Sequence, residues 1–529
     1  MSGFAGTGQL VRLALRRDRL RIPVWVLAVA GITYLTAVSE VGLYKTQAAI
    51  DAYAALAESS PVTVAFAGPP VGLHTIQGVV VYEMSLMAIL GVSLMAVLMV
   101  SRHTRAEEET GRSELLRGAE IGRHAGAAAA LLVTTLACVG MGLAVWVSLL
   151  PTVMSPESAL VFGAEIGLLG LVFAGLTLCL AQLFVHARTV TGAGMFVFAA
   201  AYVLRAAGDV RGDWLVWTSP IGWVQATHVP TENRWWPLAV PLVATVLLLL
   251  LAVVLAERRD FGAGMVPVRD GRPTASPSLA GTVGLAWRTQ RGALLGWVVA
   301  MLLLGAVTGA LSSSMQDMIR DNPAMAEYLA LTTGASVVDS YLATVILMYG
   351  LCVGGFAVWS AGHPGADEDG AQLDVLLAGP LSRTRTLLGN LLVTVVNTSL
   401  VLVAAGTGTG VAHGLVTSDS GEGLRAGLAH LVYLPAILTL VGVVVLVHGW
   451  QPRWTWVGWG LLAFGVVIGW LGGILKPPAW VSDLSAFSHV PRVPIESAAD
   501  SSLLLLTLAA GLLVAGGLVG YRRRDVGVT

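Results

Sequence analysis

Lysine is nearly missing from this chain: 529 residues hold two, Lys45 and Lys476. A phosphate-binding loop needs Gly-Lys-Ser/Thr, because backbone N–H groups and the lysine together hold the phosphates. Tyr44 precedes Lys45 and Leu475 precedes Lys476, so the chain binds no ATP by that motif. HExxH, GxSxG between strand and helix, and paired His/Cys clusters are absent too, which lowers any enzyme reading. Cysteine is scarce. Cys138, Cys179 and Cys352 lie inside apolar runs without CxxC spacing, as small buried hydrophobes do rather than metal or redox ligands. Charge is the third shortage: 12% of residues are charged, against roughly 25% in soluble domains. No cleavable signal peptide is expected, since five arginines precede the first apolar run and no A-x-A-like site ends it.

What fills the chain instead is apolar. Hydrophobic residues make up 55% and the mean hydropathy is +0.76, the composition of an all-α polytopic membrane protein. Runs near the roughly 20 residues that cross a hydrocarbon core occur at 23–43, 78–100, 125–150, 159–184, 189–206 and 237–256. A second set lies at 293–314, 339–361, 386–412, 426–449, 454–475 and 501–521. Twelve transmembrane helices are therefore expected. Both termini and the even-numbered connections hold 23 of the 31 Lys and Arg residues, and the odd-numbered connections hold 8. By the positive-inside rule the termini are expected in the cytoplasm of a cell-membrane protein.

The chain repeats itself. LALRRDR at 13–19 matches LAWRTQR at 285–291, and RRDFG at 258–262 matches RRDVG at 523–527. An even number of spans in each copy makes the two six-helix repeats parallel. The expected division is a first half, 1–256, a Gly/Pro-rich linker, 257–284, and a second half, 285–529. Residues 9–21 place Leu10, Leu13 and Leu20 near one helical face with arginines around the rest, as an interfacial helix does. On the other side, 207–236 and 476–500 are rich in Trp and Pro, which suits either short interfacial or re-entrant helices or plain loops.

The densest charge is EEETGRSELLRGAEIGR, 107–123, and it returns at 366–383. Asp367, Glu368 and Asp369 fall on Glu107, Glu108 and Glu109; Asp374 falls on Glu114, Leu376 on Leu116 and Arg383 on Arg123. The three glutamates are expected in the first turn of a helix, where carboxylates suit the dipole. Leu115 and Leu116, beside Arg112 and Glu114, would form an apolar patch able to dock in a groove. A solvated loop is the plainer reading, and duplication at matching positions favours docking. Within the spans, Glu83, Glu165 and Asp339 are each expected at an outer edge, because a charge in mid-membrane is costly. Asn390, Asn397 and His448 are expected to form interhelical hydrogen bonds.

With SPIGW at 219–223 and ERRDFGAGMVPVRDGRP at 257–273, the acidic loop resembles the fused permeases of actinobacterial ABC exporters of the tetronasin or polyketide-antibiotic type, among the type-2 ABC exporter permeases. The likeness runs over nearly the whole chain. It implies a permease with no cofactor of its own, worked by a separately encoded ATPase that carries ATP and Mg. Two copies of that ATPase would serve one fused permease. It further implies that 107–123 is a coupling helix on the ATPase and that 9–21, with Leu13, Arg16, Arg17 and Arg19, is the connecting helix. In the second copy Gly365, Gln372 and Leu377 replace Arg105, Arg112 and Arg117, which unbalances the two couplings. The expected cargo is a lipophilic or amphipathic compound moved outward, with membrane lipid as a further partner and no nucleic acid. A secondary drug–proton antiporter is the alternative, although its Gly-Asp-Arg loop after span two is missing.

Overall fold

Hydrocarbon offers no partner to a backbone N–H or C=O, so segments that cross it close their hydrogen bonds internally as helices. The structure, a computed structural model, describes residues 3–59, 61–111, 121–259, 262–266, 274, 276–321, 337–369, 373, 378, 381–417, 422–475, 477–497 and 500–524. Every regular element among them is helical. Eleven helices among the described residues are long and apolar enough to cross a membrane. The remaining expected span, 454–475, falls on the 19-residue helix Val457–Leu475, which carries no charged residue. The chain is an integral membrane protein.

It divides into two compact units, Met1–Gly271 and Arg272–Thr529. In the first, α1 (Thr7–Arg17) precedes α2 (Arg21–Leu43), and two short helices, α3 (Gln47–Ser59) and α4 (Pro61–Ala67), lead to α5 (Ile76–Ser101). Then come α6 (Ala125–Leu149), α7 (Pro156–Leu183), α8 (Ala187–Arg211), the short α9 (Pro220–Gln225) and α10 (Ala239–Glu257). In the second unit α11 (Thr282–Asp321), α12 (Val337–Ala361), α13 (His363–Asp369) and α14 (Arg383–Thr417) are followed by α15 (Glu422–Ala429), α16 (Leu434–Trp450), α17 (Val457–Leu475) and α18 (Ser501–Arg523).

Each unit packs its spans in the same pairs. First on third, second on fourth and fourth on sixth recur as α2 on α6, α5 on α7 and α7 on α10, then as α11 on α14, α12 on α16 and α16 on α18. Burial follows from this. α5 and α7 form the centre of the first unit, whereas α2, α8 and α10 keep most of their apolar surface outward, as lipid-facing helices do. In the second unit a polar cluster ties three helices together, near the start of α11 and α14 and the end of α12. Gln290 donates to Asn390 Oδ1 at 2.9 Å, and Ser360 donates to Gln290 Oε1 at 2.6 Å. Asn397 reaches the same Gln290 oxygen at 3.4 Å. Asn390 and Asn397 are thus the interhelical partners expected of them.

Two expectations change, those for Leu20 and for Glu165. Leu20 lies outside α1, whose last residue is Arg17, and α1 rests on α6 through the buried Ala14. Within the stretch expected as a linker, 257–284, two residues meet the end of α7. Met265 and Val266 donate to the carbonyls of Gln182 and Leu183 at 3.3 and 2.9 Å, closing the end of α7, and α11 already begins at Thr282. Glu165 is no edge residue: it is 5% exposed, because residues 219–229 fold over it.

That covering segment is built by local rules. Ser219 caps α9 by accepting from Ile221 N–H at 3.2 Å, Pro220 occupies the first helical position, and the Ser219 hydroxyl reaches Ala201 O at 2.7 Å. Ile221, Val224 and Thr227 are fully buried. Of the two readings for the Trp- and Pro-rich segment, short helices packed into the bundle is the one found here.

Candidate functional site

The acidic turn begins as a continuation of the second span. The helix does not stop at the last apolar residue; it runs through a π turn, Arg102–Ala106, into Glu107–Glu109. The wider turn lets neighbouring polar side chains face inward, as π turns at functional sites do. His103 Nε2 and Asp18 lie 2.6 Å apart, and Arg102 is 3.3 Å from the same buried carboxylate. The start of α2 is thereby fastened to the end of the second span.

The glutamates consequently sit at a helix C-terminus and not in a first turn, which corrects the dipole argument. A C-terminus repels carboxylates, so each needs a cation or a donor, and each has one. Arg17 of α1 donates to Glu107. Glu108 takes Arg105 at 2.7 Å and both terminal nitrogens of Arg259, at 2.9 and 3.1 Å. Glu109 accepts from His186 Nδ1 and from the backbone N–H of Ala187, both at 3.0 Å, and so sits on the N-terminus of α8, where its charge is favoured. Arg105 is 1% exposed and also donates to the carbonyls of Ala181 and Ala263.

Arg123, just before the third span, donates to the last two carbonyls of α10, Ala256 at 3.2 Å and Glu257 at 3.4 Å, and to that of Arg259 just beyond it at 3.4 Å. The first two are among the orphan acceptors every helix leaves at its C-terminus. The acid after span two and the arginine before span three therefore converge on one target, residues 256–259 at the end of span six.

The second unit builds the same clasp. Glu368 pairs with Arg524, 2.8 Å between Oε2 and Nη2, and Arg383 donates to the Arg524 carbonyl at 2.8 Å. Glu108 with Arg259 and Glu368 with Arg524 are thus the same ion pair formed twice, between segments that the sequence repeats independently. One part differs. Gly365 stands where Arg105 is buried in the first unit, and His448 lies against it, with its Nε2 3.7 Å from Glu368. Asp367 is half-buried, and Asp369 closes α13.

The ends of α1, the acidic turn, α6, α7 and α10 enclose a cavity of about 520 Å³. Leu13, Arg17, Glu107, Glu108, Arg123 and Arg259 are among its walls. Its size falls within the range of small-molecule sites. Arg16 and Arg19 are exposed beside it. Arg112, Glu114, Leu115, Leu116, Asp374 and Leu376 lie outside the described residues. Sequence reasoning noted Arg105 only through its replacement by Gly365, and missed Arg259 and Arg524. The recurring RRD after the sixth span was the signal that could have named both.

Residues 279–522 match the family described as the multidrug efflux system permease Rv1217c, C-terminal domain. Over its whole length the chain is similar to the multidrug efflux system permease protein Rv1217c of Mycobacterium tuberculosis (strain ATCC 25618 / H37Rv). The two are 34% identical over 530 residues, covering 99% of this chain and 96% of the relative. An all-helical membrane fold, a clasp built in each half, and a likeness at 34% identity that runs from end to end place the chain in the family of the multidrug efflux system permease Rv1217c.

Proposed function

We propose that the chain is the membrane permease of a drug-efflux pump, moving lipophilic or amphipathic compounds outward, and that a separate ABC ATPase energises it. The observation that carries this is the duplicated clasp. Two acidic turns, each welded to the last helix of its own half, are what a symmetric pair of motor subunits needs as points of force. In this reading both clasps and both termini face the cytoplasm, where the positive-inside count puts them. One ATPase copy rests on each turn, with Glu109 and Thr110 facing it in the first half. ATP-driven closure of the ATPase pair then moves the end of span two together with span six, because Glu108 and Arg259 hold them as one piece. The tetronasin-type likeness belongs to this reading as a pointer to bulky apolar cargo.

Inward-facing carboxylates alter what the turn does. Glu107 and Glu108 brace the turn rather than meet the partner, and Arg105 adds a brace in the first half that the second lacks. The two ATPase sites are accordingly unequal in stiffness.

The rival is proton-driven antiport, and inside-out vesicles separate the two. Vesicles carrying the permease and its ATPase should accumulate a fluorescent drug with ATP, and should stop when ATP is hydrolysed away, whatever pH gradient is imposed. Accumulation on a pH gradient alone, in ATP-depleted vesicles, would assign the chain to the antiporters.

A further inference from the structure

Glu165 has no part in the clasp, and its surroundings call for a ligand. It sits in α7, 5% exposed, and its one hydrogen bond comes from the Thr227 hydroxyl. Among the described residues no Lys, Arg or His pairs with it. A carboxylate buried in a membrane bundle is costly unless a proton or a cation neutralises it. Beside it is a cavity of about 40 Å³ whose walls include Ser85, Gln225, Thr227 and His228. By the ~10–15 Å³ that one water needs, it has room for about three waters or one small cation. The Gln225 Oε1 atom is buried without a hydrogen-bond partner. Two acceptors, one of them anionic, thus line the pocket, Glu165 with a single hydrogen bond and Gln225 Oε1 with none.

The other charged groups nearby are already occupied. Arg205, 1% exposed, is paired with Asp209 at 3.2 Å and donates to the carbonyls of Val64 and Phe66. His228 points its Nδ1 toward Glu232 at 3.5 Å. Tyr82 donates to Thr63 O. None supplies the missing cation.

We infer that Glu165 and Gln225 form a binding site for a protonated amine, a small cation that also donates hydrogen bonds. The carboxylate neutralises the charge while the carboxylate and amide oxygens accept the N–H groups. Ser85 Oγ, whose proton goes to Val81 O, can take a third. The site lies under the segment that covers the bundle end away from the clasps, so a cargo carrying an amine would be held there late in its passage. That last statement rests on the efflux reading; the binding does not.

The test uses the purified full-length permease in nanodiscs and needs no transport. Methylammonium is the probe, with tetramethylammonium, a cation without N–H donors, as the control, and the readout is the ligand-induced infrared difference spectrum in the carboxyl region. Methylammonium should give a saturable band that Glu165→Gln abolishes, and tetramethylammonium should give none. Glu165→Gln is isosteric and can still accept from Thr227, so the fold is retained. Gln225→Met should raise the half-saturating concentration roughly tenfold, the effect of one lost charge-assisted hydrogen bond. No saturable band, the same band in Glu165→Gln, or an equal response to tetramethylammonium would overturn the site. Because transport is not measured, that failure would leave the efflux reading standing.

Discussion

Reversing Glu108 to Arg is expected to stop export almost completely, and placing Glu at position 259 in the same chain is expected to restore part of it. Glu108 and Arg259 are 17% and 11% exposed, too enclosed for water to replace either partner. Breaking such a pair costs about 3 kcal/mol, the low end for buried ion pairs, which is over a hundredfold in the population of the closed clasp. An arginine at 108 would also face Arg105 and Arg259 together. In the double exchange the attraction returns but the repulsion from Arg105 stays, so recovery is incomplete. The second clasp is the internal control. Gly365 leaves no arginine in Arg105's place, and the exchange of Glu368 with Arg524 should recover more of the activity lost in Glu368→Arg. Drug accumulation in inside-out vesicles, normalised to permease content, measures both. Equal recovery at the two clasps would show that Arg105 has no part in the balance.

The second large effect is on assembly of the bundle. α11 and α14 cross with their backbones touching: a Cβ at Gly408 would stand 2.1 Å from the Leu302 carbonyl, one at Gly305 2.2 Å from Ala405 O, and one at Gly309 2.1 Å from Thr409 O. Small residues are what permit such an approach in a membrane, where packing rather than water drives helices together. Gly408→Leu has to push the helices apart. The cost is more than the roughly 1–3 kcal/mol of ordinary overpacking, since the obstacle is backbone and not a side chain that can turn aside. Membrane content of that variant should fall at least about fivefold. Gly296 lies on the same helix with nothing within 4 Å of its Cβ position, so Gly296→Leu should accumulate like the unaltered chain. Similar losses in both would mean that apolar bulk anywhere on α11 is harmful and that the crossing is not special.

Much of this was open to reading from the residues, for identifiable reasons. Runs near 20 apolar residues have one structural outcome in lipid, so the spans were legible, including α7 and α8 with only Phe184, Val185 and His186 between them. The acidic turn stood out because three adjacent carboxylates next to a span need an explanation. Its geometry was hidden, because hydropathy ends a helix at its last apolar residue, near Val100, whereas the helix continues as long as Asp18, Glu108 and the carbonyls of Ala181 and Ala263 receive the polar side chains that follow. The partners of Glu108 were hidden as well. Arg259 lies 151 positions away, and charge alone does not say which of 31 cations a carboxylate meets. Glu165 misled for a related reason: at the sequence level it stands near a span end, and only the fold of 219–229 over it removes it from water.

The most direct test of the account asks what touches the two clasps. A single cysteine at Thr110 or at Ala366, both exposed at the acidic turns, is introduced after Cys138, Cys179 and Cys352 are changed to Ser, and is armed with a photoreactive maleimide in cells that express the whole efflux system. Both positions are predicted to capture the same nucleotide-hydrolysing polypeptide, and a cysteine at Glu232, exposed just after the segment that folds over Glu165, to capture none. Capture of no such protein at either turn, by a permease that exports drug normally, would contradict the claim that the clasps are where the motor takes hold.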